Sequence, residues 1–172
     1  VFTEEYSGYV NCMNPRSCYP TSKRAAETLC ASYSSEYGAD FVVVRPCHVY
    51  GPNFTESDNR VYAQFIRNIL NDEDIIMKSS GEQFRSWCYS VDCVSGLLYV
   101  LLKGVSGEAY NIADSKSVIT IRQLAEMLAN IGKRRVVIEM PSETEKRSFN
   151  PVTKSVFSVK KCRSKRLNTR YL

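Results

Sequence analysis

The feature that most constrains the fold lies between Ser17 and Val44. Ala25, Ala26, Leu29, Cys30 and Tyr33 recur at helical spacing. Gly38 stands where a left-handed residue would end that helix. Phe41-Val42-Val43-Val44 follows at once, wholly apolar and mostly β-branched, which is how a strand covered on both faces of a parallel sheet reads. Helix, short link and buried strand make half of a βαβ unit, so the expected host is an α/β sheet.

The rest of the chain is punctuated in the same way. The first eighteen residues carry turn formers and little periodicity. Pro46, Gly51 and Pro52 break the chain, and a polar loop leads to a second helix over about 60–70, with Val61, Phe65, Ile66, Ile69 and Leu70 on one stripe. Ile75-Ile76-Met77 reads as a short strand. From Phe84 to Val91 the residues alternate, Phe84, Ser86, Cys88 and Ser90 against Arg85, Trp87, Tyr89 and Val91, which predicts another strand. Asp92 is placed to N-cap a helix whose apolar run is Val94 to Leu102, ended by Gly104. Tyr110-Asn111-Ile112 reads as a strand, and Thr120 with Gln123 matches a capping box opening a helix that runs up to Gly132. Val136-Val137-Ile138 is the last predicted strand, and after Phe157 the pattern dissolves into charge.

Composition narrows the function classes. At 172 residues and 44% hydrophobic, the chain can bury one ordinary core. No apolar run approaches the roughly 18 residues of a membrane span. Seven cysteines without a C-x-x-C pair, and a single histidine, argue against a zinc site. Several of these cysteines fall in apolar runs, so reduced thiols and a cytoplasmic setting are expected. Of the net charge of +5, six cations lie in the acid-free stretch 159–172, which leaves −1 for the remainder. That stretch is a basic tail on a near-neutral body, either simply solvated or able to touch nucleic acid or acidic lipid.

The chemistry begins at Tyr19-Pro20-Thr21-Ser22-Lys23. Positions four apart share a helix face, and an ammonium group beside a phenol favours the phenolate. A tyrosine tuned that way can exchange a proton with a substrate hydroxyl near neutral pH.

Taken in order, Tyr19-x-x-x-Lys23, Arg45-Pro46-x-His48-Val49-Tyr50-Gly51-Pro52, Gly81-x-Gln83-x-Arg85-x-x-x-Tyr89-x-x-Asp92 and Tyr110-Asn111-Ile112 resemble the extended short-chain dehydrogenase/reductase superfamily. Within it the likeness is to NAD-dependent nucleotide-sugar epimerases and dehydratases. The stretch 11–27 is particularly similar to UDP-glucuronate decarboxylases and dTDP-glucose 4,6-dehydratases. The resemblance spans about residues 3 to 155. It implies an α/β fold comprising the C-terminal portion of an NAD(P)-binding Rossmann-like domain and an interleaved, smaller substrate-binding domain. Residues 1–47 and 84–104 would belong to the former, 48–83 and 105–158 to the latter, with 159–172 as the tail.

The resemblance also implies roles. Tyr19 would be the acid/base at the sugar 4-hydroxyl, with hydride passing from C4 to NAD, and Lys23 would hold the nicotinamide ribose. Pro46 and His48 would lie beside the nicotinamide and the substrate; the family usually has asparagine where this chain has His48. Arg85 and Arg147 would bind the diphosphate of a UDP- or dTDP-sugar, a task suited to bidentate guanidinium groups. Asn59 and Arg60 would contact the nucleotide, and Met77 and Lys78 would pack on the base. No metal is implied. The 17–37 helix would pair two copies as a homodimer.

No G-x-G-x-x-G or G-x-x-G-x-x-G occurs among the eight glycines, so the dinucleotide-binding turn is missing. With Val1 in place of an initiator methionine, the chain is expected to be the C-terminal part of a longer protein, lacking the N-terminal βαβ units and inactive alone. A non-catalytic assembly module and a nucleic-acid-binding protein acting through the tail are the rival readings.

Overall fold

The 17–37 stretch forms one helix, α1, over Cys18–Tyr37, preceded by a 3-10 turn at Pro15–Ser17. Gly38 closes it in the left-handed region, φ 66°, donating its N–H to the Ser34 carbonyl. In the computed structural model, residues 1–142 and 152–164 are described. The further elements are β1 (Val43–Pro46), β2 (His48–Tyr50), α2 (Val61–Leu70), β3 (Ile75–Met77), β4 (Phe84–Tyr89), α3 (Ser90–Lys103), β5 (Ala109–Ile112), β6 (Val118–Thr120), α4 (Ile121–Gly132), β7 (Val136–Ile138), β8 (Lys154–Ser155) and α5 (Lys160–Ser164).

Three small sheets carry the fold. β1 pairs in parallel with β5, β3 in parallel with β7, and β4 is central to the third, with β6 on one edge and, on the other, β8 beside Phe84 and Arg85 and β2 beside Trp87 to Tyr89. The third sheet is mixed: β2 and β8 run parallel to β4, β6 antiparallel. One core cluster joins α2, α4, β3 and β7 through Phe65, Ile75, Met77, Ala125 and Ala129. A second gathers Val100, Tyr110 and Cys162 around β1 and β5.

The helix pair α2–α4 shows how local sequence sets the packing. Thr120 accepts from the Gln123 N–H while the Gln123 side chain accepts from the Thr120 N–H, the complete capping box the sequence predicts. At its other end α4 includes Gly132, and Lys133 takes the left-handed position at φ 52°. Gly132 answers to packing: a Cβ there would lie 2.5 Å from Ile69 Cγ2. The missing side chain lets α2 and α4 approach.

Several expectations are corrected. The strand expected at Phe41–Val44 is Val43–Pro46, and it is half-buried. It has β5 as its one strand neighbour among the described residues, so it stands at a sheet edge and not between two parallel strands. β4 does not alternate: Arg85, Ser86, Trp87 and Cys88 are all buried, because strands flank it on both edges and both of its faces are covered. Asp92 does not cap α3. β4 runs straight into that helix, Tyr89 holds the N-cap position, and Asp92 sits in the first turn, where its charge suits the helix dipole. On α2 the buried face is Tyr62, Ala63 and Phe65, whereas Leu70 is exposed. The basic stretch begins ordered: Val159 and Cys162 are buried, Lys161 pairs with Glu108, and Arg163 donates to Ser115 Oγ at 2.5 Å. No helix among the described residues is long and apolar enough to cross a membrane.

Candidate functional site

A cleft of about 920 Å³ opens where α1, β2, β4 and the start of α2 meet. Tyr19, Pro46, His48, Asn59, Arg60, Met77, Lys78 and Arg85 all line it. Lys23 lines a neighbouring cavity of about 450 Å³ with Arg24, Glu27 and Arg45. Arg147 lies outside the described residues.

Tyr19 and Lys23 sit in the first turns of α1, both exposed, with the Lys23 ammonium nitrogen 5.6 Å from the centre of the Tyr19 ring. What aims this helix at the cleft is an ion pair one turn further on. Glu27 accepts from Arg45 Nε at 2.8 Å and from Nη2 at 2.6 Å, while Arg45 Nη1 donates to the Glu4 carbonyl at 2.7 Å. That bidentate bond raises the guanidinium pKa and ties α1 to β1.

Arg85 is the buried cation of the site. It is 7% exposed, and its guanidinium donates to two main-chain carbonyls, Phe84 at 2.8 Å and Val152 at 2.9 Å. Among the described residues it has no carboxylate partner, and desolvation lowers its pKa. Among the described residues this charge is met by carbonyl dipoles alone.

Two residues on, Trp87 shares the Arg85 face of β4 and also lines the cleft. Its indole nitrogen is buried without a hydrogen-bond partner among the described residues. The His48 ring lies against it, centroids 5.4 Å apart. His48 is exposed at the cleft wall; desolvation of part of its ring first, then the charge of Arg85, hold the imidazole below its ordinary pKa, while the Ser86 main chain acts in the opposite direction.

Arg60 extends the positive wall. It shares Asp58 in a bidentate pair, stacks over Tyr62 at 4.9 Å, and donates to the Val49 carbonyl at 3.2 Å. The pair drives the Asp58 carboxyl down to about 2. Lys78 is salt-bridged to Glu139 at 2.7 Å. Met77 is 3% exposed and spends most of its side chain in the α2–α4 core.

No carboxylate among the described residues lines the cleft, whereas Arg16, Arg60, Lys78 and Arg85 do. The geometry suits a polyanion with a flat ring system. Sequence reasoning missed Trp87 and Arg16; the two-residue spacing from Arg85 was the available signal for the first, and nothing marked the second. No cluster of histidine, cysteine or acidic side chains able to hold a metal occurs among the described residues. All seven cysteines are free.

The sequence model of the NAD dependent epimerase/dehydratase family matches residues 2–113. UDP-glucuronic acid decarboxylase 6 of Arabidopsis thaliana is 37% identical over 142 residues, 83% of this chain and 41% of the relative. UDP-glucuronic acid decarboxylase 1 of Xenopus tropicalis is 35% identical over 132 residues, 76% and 31% of the two chains. The chain thus spans about two-fifths or less of the curated relatives it matches. Among solved structures, UDP-glucose 4-epimerase of Thermotoga maritima with UDP-glucose aligns with a TM-score of 0.73 and 26% identity, over 85% of this chain and 46% of that one. A dTDP-glucose 4,6-dehydratase of Bacillus anthracis in complex with NAD shares the fold, with a TM-score of 0.78 at 21% identity over 95% and 49%.

Proposed function

The chain belongs to the NAD-dependent epimerase/dehydratase family, and from that premise we propose that its cleft receives a UDP- or dTDP-sugar. One observation carries the reading: Arg85 is buried in a cleft wall where no carboxylate among the described residues neutralises it. A diphosphate would supply the missing charge. Arg85 would take the diphosphate with Arg147, His48 would help hold it, and Asn59, Arg60, Met77 and Lys78 would meet the nucleotide. Titrating the chain with UDP-glucose while following the fluorescence of Trp87, the one tryptophan, tests this.

The parent reaction is oxidation of the sugar at C4, followed by epimerisation, dehydration or decarboxylation. NAD, when bound, supplies the hydride acceptor. Tyr19 exchanges the proton of the sugar 4-hydroxyl, and Lys23, one turn away, holds the tyrosine's environment positive and the nicotinamide ribose in place. The residues present fit only part of this cofactor. Tyr19, Pro46 and His48 line one cleft with Lys23 beside it, which suits the nicotinamide end. A glycine-rich turn for the pyrophosphate does not occur in the 172 residues. The chain alone therefore binds NAD weakly and does not turn over; micromolar NAD affinity by calorimetry would contradict this.

A two-part organisation accompanies the reading, with 1–47 and 84–104 on the cofactor side, 48–83 and 105–158 on the sugar side, and 159–172 as a basic extension. A second reading, an assembly module, is favoured by α1 itself. None of its twenty residues is buried, and Leu29, Tyr33 and Tyr37 are 59%, 59% and 66% exposed. Such a face suits a homodimer through this helix. Seven free thiols suit a cytoplasmic setting.

A further inference from the structure

His48 is the one histidine of the chain, and it stands on β2 at the wall of the cation-lined cleft. We infer that His48 takes up a proton when a diphosphate enters this cleft, so that affinity for a nucleotide-sugar falls as pH rises through neutrality. The inference rests on the nucleotide-sugar reading above and adds a regulatory property to that site.

The surroundings of the ring supply the argument. From β4 it meets the Trp87 ring at 5.4 Å and the charge of Arg85. From the approach to α2, Arg60 reaches the same strand by donating to the Val49 carbonyl. Arg16 and Tyr19 contribute to the cleft from the α1 side, and Lys78 from the end of β3. Its own strand region brings Cys47 and Tyr50. Of the carboxylates nearby, Asp58 holds Arg60, Glu139 holds Lys78, and Asp114 accepts from the Lys116 N–H, while Asp92 and Asp114 both act on Tyr50.

In the free chain, then, every charged group that lines the cleft among the described residues is a cation, and part of the His48 ring is desolvated. Both effects favour neutral imidazole. A diphosphate bound at Arg85 reverses them. It cancels the guanidinium field and places anionic oxygens in the same cleft, where an imidazolium can donate to them and a neutral ring nitrogen that lacks hydrogen cannot. The bound state therefore holds more protons than the free state, and by linkage low pH favours binding. Asparagine at this position would donate to the same oxygens at every pH. Histidine makes the contact conditional.

His48 is the one histidine of the chain, and the other polar side chains lining the cleft among the described residues are arginine, lysine, tyrosine, cysteine, serine and amides. Arginine, lysine and tyrosine titrate far above the range between pH 5.5 and 8. Cys47 is pushed well up by burial and by the neighbouring Cys88 and Cys93 thiols. UDP-glucose is the suitable probe, because its diester diphosphate lacks the terminal phosphate proton that titrates near neutrality in phosphomonoesters.

The test is proton NMR of the unique imidazole in the full chain, with and without saturating UDP-glucose, paired with dissociation constants across the same pH range. The expected result is a titration midpoint that rises on saturation, and a Kd about tenfold weaker at pH 8 than at 5.5, the change that one pKa unit corresponds to. His48→Asn is expected to bind with a Kd that varies less than about twofold over that range. A midpoint unmoved by saturating ligand, or a pH dependence that survives in His48→Asn, overturns the inference and leaves the nucleotide-sugar reading standing. Absence of saturable UDP-glucose binding at every pH overturns both.

Discussion

On α1 the Lys23 ammonium lies 5.6 Å from the centre of the Tyr19 ring, one helical turn away, while Tyr19 itself is 68% exposed at the rim of the cleft. The pair is thus exposed and takes no part in the core. Tyr19→Phe is expected to leave the unfolding free energy within about 0.5 kcal/mol of wild type, as surface substitutions generally do. UDP-glucose affinity should stay within about threefold, since the phenol is assigned to proton exchange and not to anchoring the diphosphate. Urea unfolding and fluorescence titration measure the two; a large loss in the first would make Tyr19 structural.

Gly132 and Ile69 set the spacing of α2 and α4. Gly132→Ala would bring a methyl to 2.5 Å from Ile69 Cγ2 and 2.9 Å from Cγ1, on a β-branched side chain that cannot swing clear. Overpacking of that kind costs about 1–3 kcal/mol. Denaturant unfolding should show it as a lower midpoint with unchanged slope. An unchanged midpoint would mean the helices part freely.

α1 has no buried face, and its Tyr33 and Tyr37 rings pack on one another, centroids 5.4 Å apart. The wild-type chain is expected to sediment as a dimer, and Leu29→Glu with Tyr33→Glu to yield a monomer with wild-type far-UV circular dichroism. A monodisperse wild-type monomer in light scattering would remove the homodimer from the account.

How far these features could be read beforehand differs between elements. α1, α2, β3, β5, β7 and the Thr120–Gln123 cap follow from local periodicity and capping chemistry, and they stand where the sequence places them to within a residue or two. β4 was legible as a strand but not in its burial, because its cover comes from β2, β6 and β8, elements distant in the chain. The same holds for Asp92, which satisfies a capping rule that the direct passage from β4 into α3 overrides. α5 was hidden by its own charges: Cys162 is its buried residue, clustered with Val100 and Tyr110, and a single cysteine among lysines and arginines does not mark a helix. In the site, motif spacing brought eight residues to one cleft. Trp87 stayed unseen because its role depends on which face of β4 meets the cavity.

Arg85 is buried without a carboxylate partner among the described residues, and we propose that the diphosphate of a nucleotide-sugar supplies its counter-charge. Arg85→Met removes the charge and keeps much of the volume. The direct measurement is UDP-glucose titration of wild type and Arg85→Met, read by Trp87 fluorescence, beside their unfolding midpoints. Hydrogen bonds to a charged group contribute about 1.5–3 kcal/mol, so affinity should fall by roughly ten- to a hundredfold. The midpoint should move little, because removing a buried charge offsets the loss of its hydrogen bonds to the Phe84 and Val152 carbonyls. Equal affinity in the two proteins, or no saturable binding by wild type, would contradict the account.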